Sequence, residues 1–486
     1  MRIRSEWTLL PILALLALPL SAQSVDPPDP VDLTDAMALA SAWLDAEQDF
    51  KNIPVLTAAV VRDQDVIWSG AFGHADVEGG VEAAPETRFH IASISKTFAA
   101  VAVMTLVDAG KLRLDDHVSD VVPWFHPPAL DGDQAPITIR NLLTHSSGLN
   151  RELIAPIWSD VSTTPDGVEM QAELTAPSPL YPSRTLFQYS NLAFLLIGEI
   201  VAEVSGMPYV DYLEQAVLDP LGLEATTASY PESLYGTRHA IRYGTMTRTQ
   251  EFPRLGYTKS ENMASMGGLS SNVLDLARYA SWQLRLHEKN ATAEVLRPST
   301  LRDMHRVHFT DRDWEVTWGL GFNIAKGPAD QALVSHGGHF PGHKSQLLID
   351  PESRMAYVVM AGTSSANPGA YAQAVMKLVN KAKAVPEDAE NRLSRARLAE
   401  YTGRFEFVGG MGEARISAWE GRLAILELPN DDPAGTMQIY EHVEGDTFRR
   451  VRSDGDYGET LSYERDESGR VTGASYFSYE MVRAGS

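Results

Sequence analysis

The chain has 486 residues, 44% of them hydrophobic and 22% charged, with a formal net charge of −23 and no cysteine. The length suffices for two to three domains with a sizeable core. The acidic balance excludes the electrostatic footprint of a nucleic-acid binder, and the lack of cysteine excludes a disulfide framework.

In chain order, "MRIRSEW" followed by the apolar run Leu9 to Leu20 and the small residues "SAQS" reads as a signal peptide over residues 1–24. Such a run is too short to span a bilayer comfortably. Cleavage is expected after Ala22 or Ser24, with no lipidation site at that point, so the expected location is the bacterial periplasm or the medium. "VDPPDP" is a short linker opening a central domain over 25–385. "VLTAAVVRD" and "VIWSGAFG" form a predicted hairpin turned by "DQD". Helices are predicted over Asn191 to Val204, ending at Ser205-Gly206, and over Val273 to Leu286, capped by Asn272 with Asp275 at the third helical position. Strand-like runs return at "VTWGLGFNI", "ALVSH", "SQLLID" and "MAYVVMA", and a helix over about Gly369 to Ala384 closes this part. Strands at both ends with helices between them predict an α+β domain whose antiparallel sheet is assembled from both termini.

The charged segment at 386–397 lacks an apolar period and is the expected linker. Beyond it, over 398–486, short strand-like runs from "YTGRFEFV" to "RVTGASYFSYEMVR" alternate with turn residues, which predicts a small closed antiparallel barrel.

The chemistry-bearing stretch is "FHIASISKTFAAVAVMTLVDAG", Phe89 to Gly110. A serine hydroxyl needs something to take its proton before it can attack. A lysine kept neutral by burial can do so if it shares a helical face with the serine. Residues three apart on a helix meet, whereas neighbours diverge by about 100°. Ser93 therefore can meet Lys96, and Ser95 faces away. The helix that follows is almost entirely apolar, hence buried, which suits a desolvated amine at its first turn.

A lone Ser-x-x-Lys is weak, but the accompanying pieces are specific: "HIASISKTFAAVAVMTLVDAGKLRLDDHVSDVVPWF", "ITIRNLLTHSSGL", "FQYSNLAFLLIGEIVAEVSG", "MGGLSSNVLDLARY", "WGLGF" and "SHGGHFPGHKSQLLIDPES". In this order, over about Val55 to Ala384, the chain resembles the serine β-lactamase-like and penicillin-binding-protein-like hydrolases. The nearest branch is that of class C β-lactamases, D-stereospecific peptidases and lactamase-like carboxylesterases. The terminal barrel resembles the lipocalin-like appendages of some members. The resemblance implies a serine hydrolase working through an acyl-enzyme on Ser93, with Lys96 helping to deprotonate it. It makes Tyr189 of "YSN" a base or proton shuttle and Asn191 a ligand for the substrate amide or for Lys96. The third motif departs from the Lys-Thr-Gly form: it is His336-Gly337-Gly338. It is expected to orient the substrate or to stabilise the oxyanion electrostatically, with a partly charged His336 and with glycines that let the strand approach closely. By analogy the backbone N–H groups of Ser93 and His339 form the oxyanion hole.

The substrate implied is a small ester or a D-amino-acid-type amide or peptide; a β-lactam is disfavoured by His336, and a catalytically weak binding protein is the reading from another class. No cofactor is implied. A metal at His336, His339 and His343, or at His305 and His308, is disfavoured: strand positions 336 and 339 point to opposite faces, and no HExxH helix is present. His145 reads as a structural residue of the loop beside the cleft. The chain has no GxSxG, which counts against an α/β-hydrolase elbow.

Overall fold

The computed structural model describes residues 31–128, 130, 135–158, 164–384 and 392–485. The signal segment, the "VDPPDP" linker and the first half of the predicted inter-domain linker, residues 386–391, lie outside the described residues.

A hairpin of β1 (Val55–Arg62) and β2 (Asp65–Asp76) starts the main sheet, extended on one side by β3 (Val81–Glu82). The hairpin turns at Asp63, which takes a left-handed φ of 58°. The remaining strands come from far along the chain: β4 (Phe309–Thr310), β5 (Thr317–Trp318), β6 (Asn323–Lys326), β7 (Ala332–Phe340), β8 (His343–Asp350) and β9 (Met355–Ala361). Among the described residues they make a nine-stranded sheet in the order β3-β2-β1-β9-β8-β7-β6-β5-β4. All its pairings are antiparallel, and β1 closes on β9 with Leu56 opposite Ala361. This is the sheet expected from both termini. Strand β7 runs past "ALVSH" to Phe340, because Pro341 and Gly342 suffice to turn it into β8; Gly342 supplies the positive φ of 84°.

Five long helices accompany the sheet: α1 (Thr34–Phe50), α2 (Ser95–Asp108), α3 (Asn191–Ser205), α4 (Val273–His287) and α5 (Pro368–Lys383). Their ends follow local chemistry. Asn272 accepts the Asp275 N–H at 2.8 Å to start α4, and Gly206, with φ 74°, ends α3. On one side of the sheet α4 packs against β1 and β9, α3 packs against α2, and all three helices share one buried cluster that includes Phe98, Phe194 and Trp282. The other side is covered by α1 and α5. Among the described residues no single helix is long and apolar enough to cross a membrane; α3 pairs with the 209–221 stretch only across a 77° bend.

The C-terminal strands, from Gly403–Phe407 to Tyr479–Arg483, close into an eight-stranded antiparallel barrel. The final run, which reads as one strand in sequence, is two, Val471–Tyr476 and Tyr479–Arg483. It is broken at Phe477, which adopts a φ of 56° without a glycine or asparagine to announce the turn. Residues Leu33–Ser486 form one compact unit. The cluster beneath α1 and α5 continues into the barrel through Trp419, Leu426 and Leu428. Polar contacts reinforce it: Trp43 Nε1 donates to the Asn430 carbonyl at 2.7 Å, and Arg395 pairs with buried Asp35 at 2.6 Å.

Candidate active site

Ser93 lies in a short 3₁₀ turn, Ala92–Ile94, that feeds directly into α2. Ala92 carries a left-handed φ of 51°, a costly conformation for a non-glycine residue. The turn is over-determined by its neighbours. Ile91 N–H donates to the Leu269 carbonyl, and Ser345 Oγ donates to the Ile91 carbonyl, both at 2.9 Å. Ser95 points into the protein and accepts the Leu269 N–H at 3.2 Å. The two serines are thus separated as the spacing predicts, with Ser93 half-buried in the cleft and Ser95 fully buried.

Lys96 is fully buried. Its Nζ lies 3.2 Å from Ser93 Oγ and 2.7 Å from Asn191 Oδ1, and it also donates to the Met266 carbonyl. Burial holds the amine well below the ordinary lysine range; Glu152 opposes that shift and Arg151 reinforces it. Tyr189 sits with its ring 5.1 Å from Lys96 Nζ. Burial pushes its phenol up, against the hydrogen bond with Ser93 and the nearby Arg151 guanidinium.

Asn191 is the first residue of α3, whose start is fixed by Ser190: the Ser190 hydroxyl accepts the Ala193 N–H at 2.9 Å. The Asn191 carboxamide is committed at both ends, its oxygen to Lys96 and its Nδ2 to both oxygens of Glu152 at 2.9 Å. Of the two roles expected for it, the geometry favours the ligand of Lys96 over the substrate ligand. His145, its ring centred 4.1 Å from that of Tyr189 and tilted by 31°, accepts the Ser190 N–H at 3.1 Å.

His336, Gly337, Gly338 and His339 line the same cleft as Ser93 and Tyr189, a cavity of about 820 Å³. The expected partial charge on His336 is corrected: the ring is buried, and burial with Lys96 nearby pushes it down to about 3. Its Nδ1 lies 2.7 Å from the Gly337 carbonyl and is the protonated nitrogen, while Nε2 has no partner. Gly338 is required by packing. A Cβ there would stand 2.2 Å from the Ile91 carbonyl oxygen and 2.3 Å from Ser345 Oγ. Gly338→Ala must push β7 off the Ser93 turn. A stability loss of about 1–3 kcal/mol is expected, read by denaturation.

Residues that sequence reasoning missed complete the cleft: Arg151, Glu152, Trp158, Trp318, Gln346 and Gln373. Glu152 is central, accepting from Asn191 and, at 2.9 Å, from Trp158 Nε1. Arg151 Nε lies 3.2 Å from Glu152 Oε1, its guanidinium 5.0 Å from the centre of the Tyr189 ring. No lining residue lies beyond Gln373, so among the described residues the barrel does not line this cavity.

Neither His336, His339 and His343 nor His305 and His308 form a cluster of ring nitrogens among the described residues. His305 bonds His287 at 2.8 Å, and His308 lies against Arg140. His343 instead joins His90 and His239, with ring nitrogens within 4.8 Å of one another and all three rings buried. His343 Nδ1 accepts the His90 N–H at 3.0 Å, so a neutral His343 carries its proton on Nε2 instead of a lone pair. Burial pushes the protonation of all three rings down, and the Arg242 guanidinium adds to it at each. A set with one lone pair withdrawn and a fixed cation beside it does not fit a divalent metal.

A helix-flanked antiparallel sheet with a buried Ser-x-x-Lys pair, a tyrosine and a glycine-rich strand defines the β-lactamase and transpeptidase architecture. The Beta-lactamase family model matches residues 41–381, and the chain belongs to that family. Protein flp of Staphylococcus aureus (strain COL) is 25% identical over 325 residues, 65% of this chain and 60% of that protein. The chain thus spans about 60% of the length of the curated relatives it matches. The octameric penicillin-binding protein homologue from Pyrococcus abyssi superposes with a TM-score of 0.62 at 22% identity, over 92% of this chain and 99% of that one. A D-stereospecific amidohydrolase from Streptomyces sp. gives 0.58 at 22% identity, over 70% of this chain and 97% of that one. At these identities the likeness shows the fold.

Proposed function

We propose that the protein is a serine hydrolase that forms an acyl-enzyme on Ser93 and acts on small acyl donors, foremost D-amino-acid-type amides or short peptides bearing a free amine, and small esters. The observation that carries this reading is the set of oxygens around Lys96 Nζ. An uncharged amine has two protons and one lone pair. The Asn191 and Met266 oxygens take the two protons, and the lone pair is left facing the Ser93 hydroxyl.

Lys96 then takes the serine proton as Oγ bonds to the acyl carbon, and the carbonyl electrons move onto oxygen near the backbone N–H groups of Ser93 and His339. Tyr189, held in the phenol form, gives its proton to the leaving group and recovers one from the Lys96 ammonium. Water cleaves the acyl-enzyme by the reverse relay. Glu152, an acceptor-only carboxylate on the cleft wall, supports an amine-bearing acyl donor, since a protonated amine pairs with it. The uncharged His336 weakens recognition of a β-lactam carboxylate.

A fluorophosphonate probe followed by mass mapping tests the reading. An adduct on Ser93 is expected, absent in Ser93→Ala and retained in Ser95→Ala. A free D-amino-acid amide should be hydrolysed in preference to its N-acetylated form and to a chromogenic cephalosporin. No adduct on Ser93 in the folded protein sinks the enzyme reading, and equal rates for free and acetylated amides sink the substrate assignment.

A further inference from the structure

Acylation of Ser93, on which the role assigned below to Arg151 rests, poses an electrostatic problem in this cleft. The position at which the Lys-Thr-Gly form of the third motif carries a lysine is occupied by an uncharged, buried His336. Glu152, meanwhile, is anchored on Asn191, the same residue that binds Lys96. A carboxylate one side chain away from a buried amine draws a proton onto it, and a protonated Lys96 cannot accept another from Ser93.

The groups that face Lys96 from the surrounding elements are few. Ser93 lies on its own turn, Tyr189 and Asn191 lie at the start of α3, the Met266 carbonyl approaches from the segment after Met263, and His336 comes from β7. The His145 ring lies tilted against that of Tyr189. Burial keeps His145, His336 and Tyr189 uncharged near neutral pH. The charges that act on Lys96 are those of Glu152 and Arg151, in opposite directions. Arg151 is also fixed in place: its carbonyl accepts the Asn191 N–H at 2.7 Å, tying the rim loop to the start of α3. Its guanidinium stands 5.0 Å from the centre of the Tyr189 ring with Nε on Glu152.

We propose that Arg151 is a positioning residue of this site, supplying the fixed positive charge that the third motif lacks and thereby keeping Lys96 competent to accept the serine proton. By pairing with Glu152 it offsets the field of that carboxylate at the amine, while leaving the carboxylate in the cleft for a substrate amine. The Arg151 side chain is 60% exposed, so the effect is screened and moderate.

The test is the pH dependence of fluorophosphonate labelling of Ser93 in the full chain, whose acid limb reports the ionisation of Lys96 in the free protein. Arg151→Gln should move that limb up by about half a pH unit, the scale of one partly exposed charge at close range. Labelling one unit below the wild-type midpoint should then fall about threefold. Arg151→Lys should restore the wild-type limb, because it returns the charge without the guanidinium shape. Glu152→Gln, which removes the opposing charge, should move the limb down. A limb unmoved in Arg151→Gln, or one that Arg151→Lys shifts as far as Arg151→Gln, overturns the inference, since a merely structural role lowers the rate without moving the midpoint. An upward shift in Glu152→Gln overturns it as well. If wild-type Ser93 takes no label at any pH, the acyl-enzyme reading fails first and this inference with it; labelling with unmoved limbs defeats the inference alone.

Discussion

Lys96→Met will lower the rate of Ser93 acylation by a factor of about 10³ to 10⁴, the upper range for loss of a general base held in contact with its nucleophile. Methionine is close in volume and apolar, so it suits a fully buried position. It leaves the Asn191 and Met266 oxygens without their donor, at a stability cost of about 1–3 kcal/mol. Activity and stability therefore part company: labelling collapses while the melting transition stays cooperative and shifts by several degrees. Lys96→Arg should be as inactive, since a guanidinium remains charged at any working pH and has no lone pair to offer. Retention of a tenth or more of the wild-type labelling rate by Lys96→Met would mean that Tyr189, and not Lys96, receives the serine proton.

Acidification will destabilise the fold well before its carboxylates titrate. His90, His239 and His343 are buried together, and burial with Arg242 nearby depresses the protonation of each, that of His239 to about 3. The unfolded chain protonates an imidazole near pH 6.5, so below that pH the unfolded state binds protons that the folded state refuses. Stability is full above pH 6.5 and is lost as pH falls toward the folded-state values. With three such rings the loss accumulates as pH falls from 7 toward 5. Buried His145 and His305 shift in the same sense. Urea unfolding at the two pH values measures the difference. His90→Phe isolates one ring: neither of its nitrogens has a hydrogen-bond partner, and it stacks on Phe340 at 4.3 Å. The variant should keep its stability at pH 7 and lose less of it per pH unit at acid pH than the wild type. An identical pH slope in wild type and variant would show that His90 is not held unprotonated.

Much of this site was legible because its side chains carry their chemistry in short motifs. The three-residue spacing alone separates Ser93 from Ser95, and the family motifs place Tyr189 and His336 beside them. Three partners were not legible, each for a physical reason. The Met266 contribution is a backbone carbonyl, which every residue has. Arg151 and Glu152 lie in a loop with no apolar period, and only the folded chain brings them against Tyr189 and Asn191. The state of His336 depends on burial, which a strand motif does not report. In the fold, the caps at Asn272 and Gly206 announced α4 and the end of α3. The break at Phe477 used a residue with no turn preference and passed unread. Helix α1 shows why long-range partners escape a sequence reading: its buried Asp35 is bonded to Arg395 and to the Glu420 N–H, more than 350 positions away.

The pairing of β1 with β9 sets the order in which this protein can come into being. Leu56 meets Ala361 across about three hundred residues, and closing a loop of that length costs about 5 kcal/mol beyond the constant term before any contact repays it. A nascent chain therefore cannot complete its sheet until β9 has left the ribosome. The layer of α1 and α5 then stays open until Trp419, Leu426 and Leu428 arrive. Folding should be slow and late, and a chain stopped before the barrel would expose the apolar surface that the barrel covers, becoming a candidate for aggregation instead of a free-standing catalytic domain.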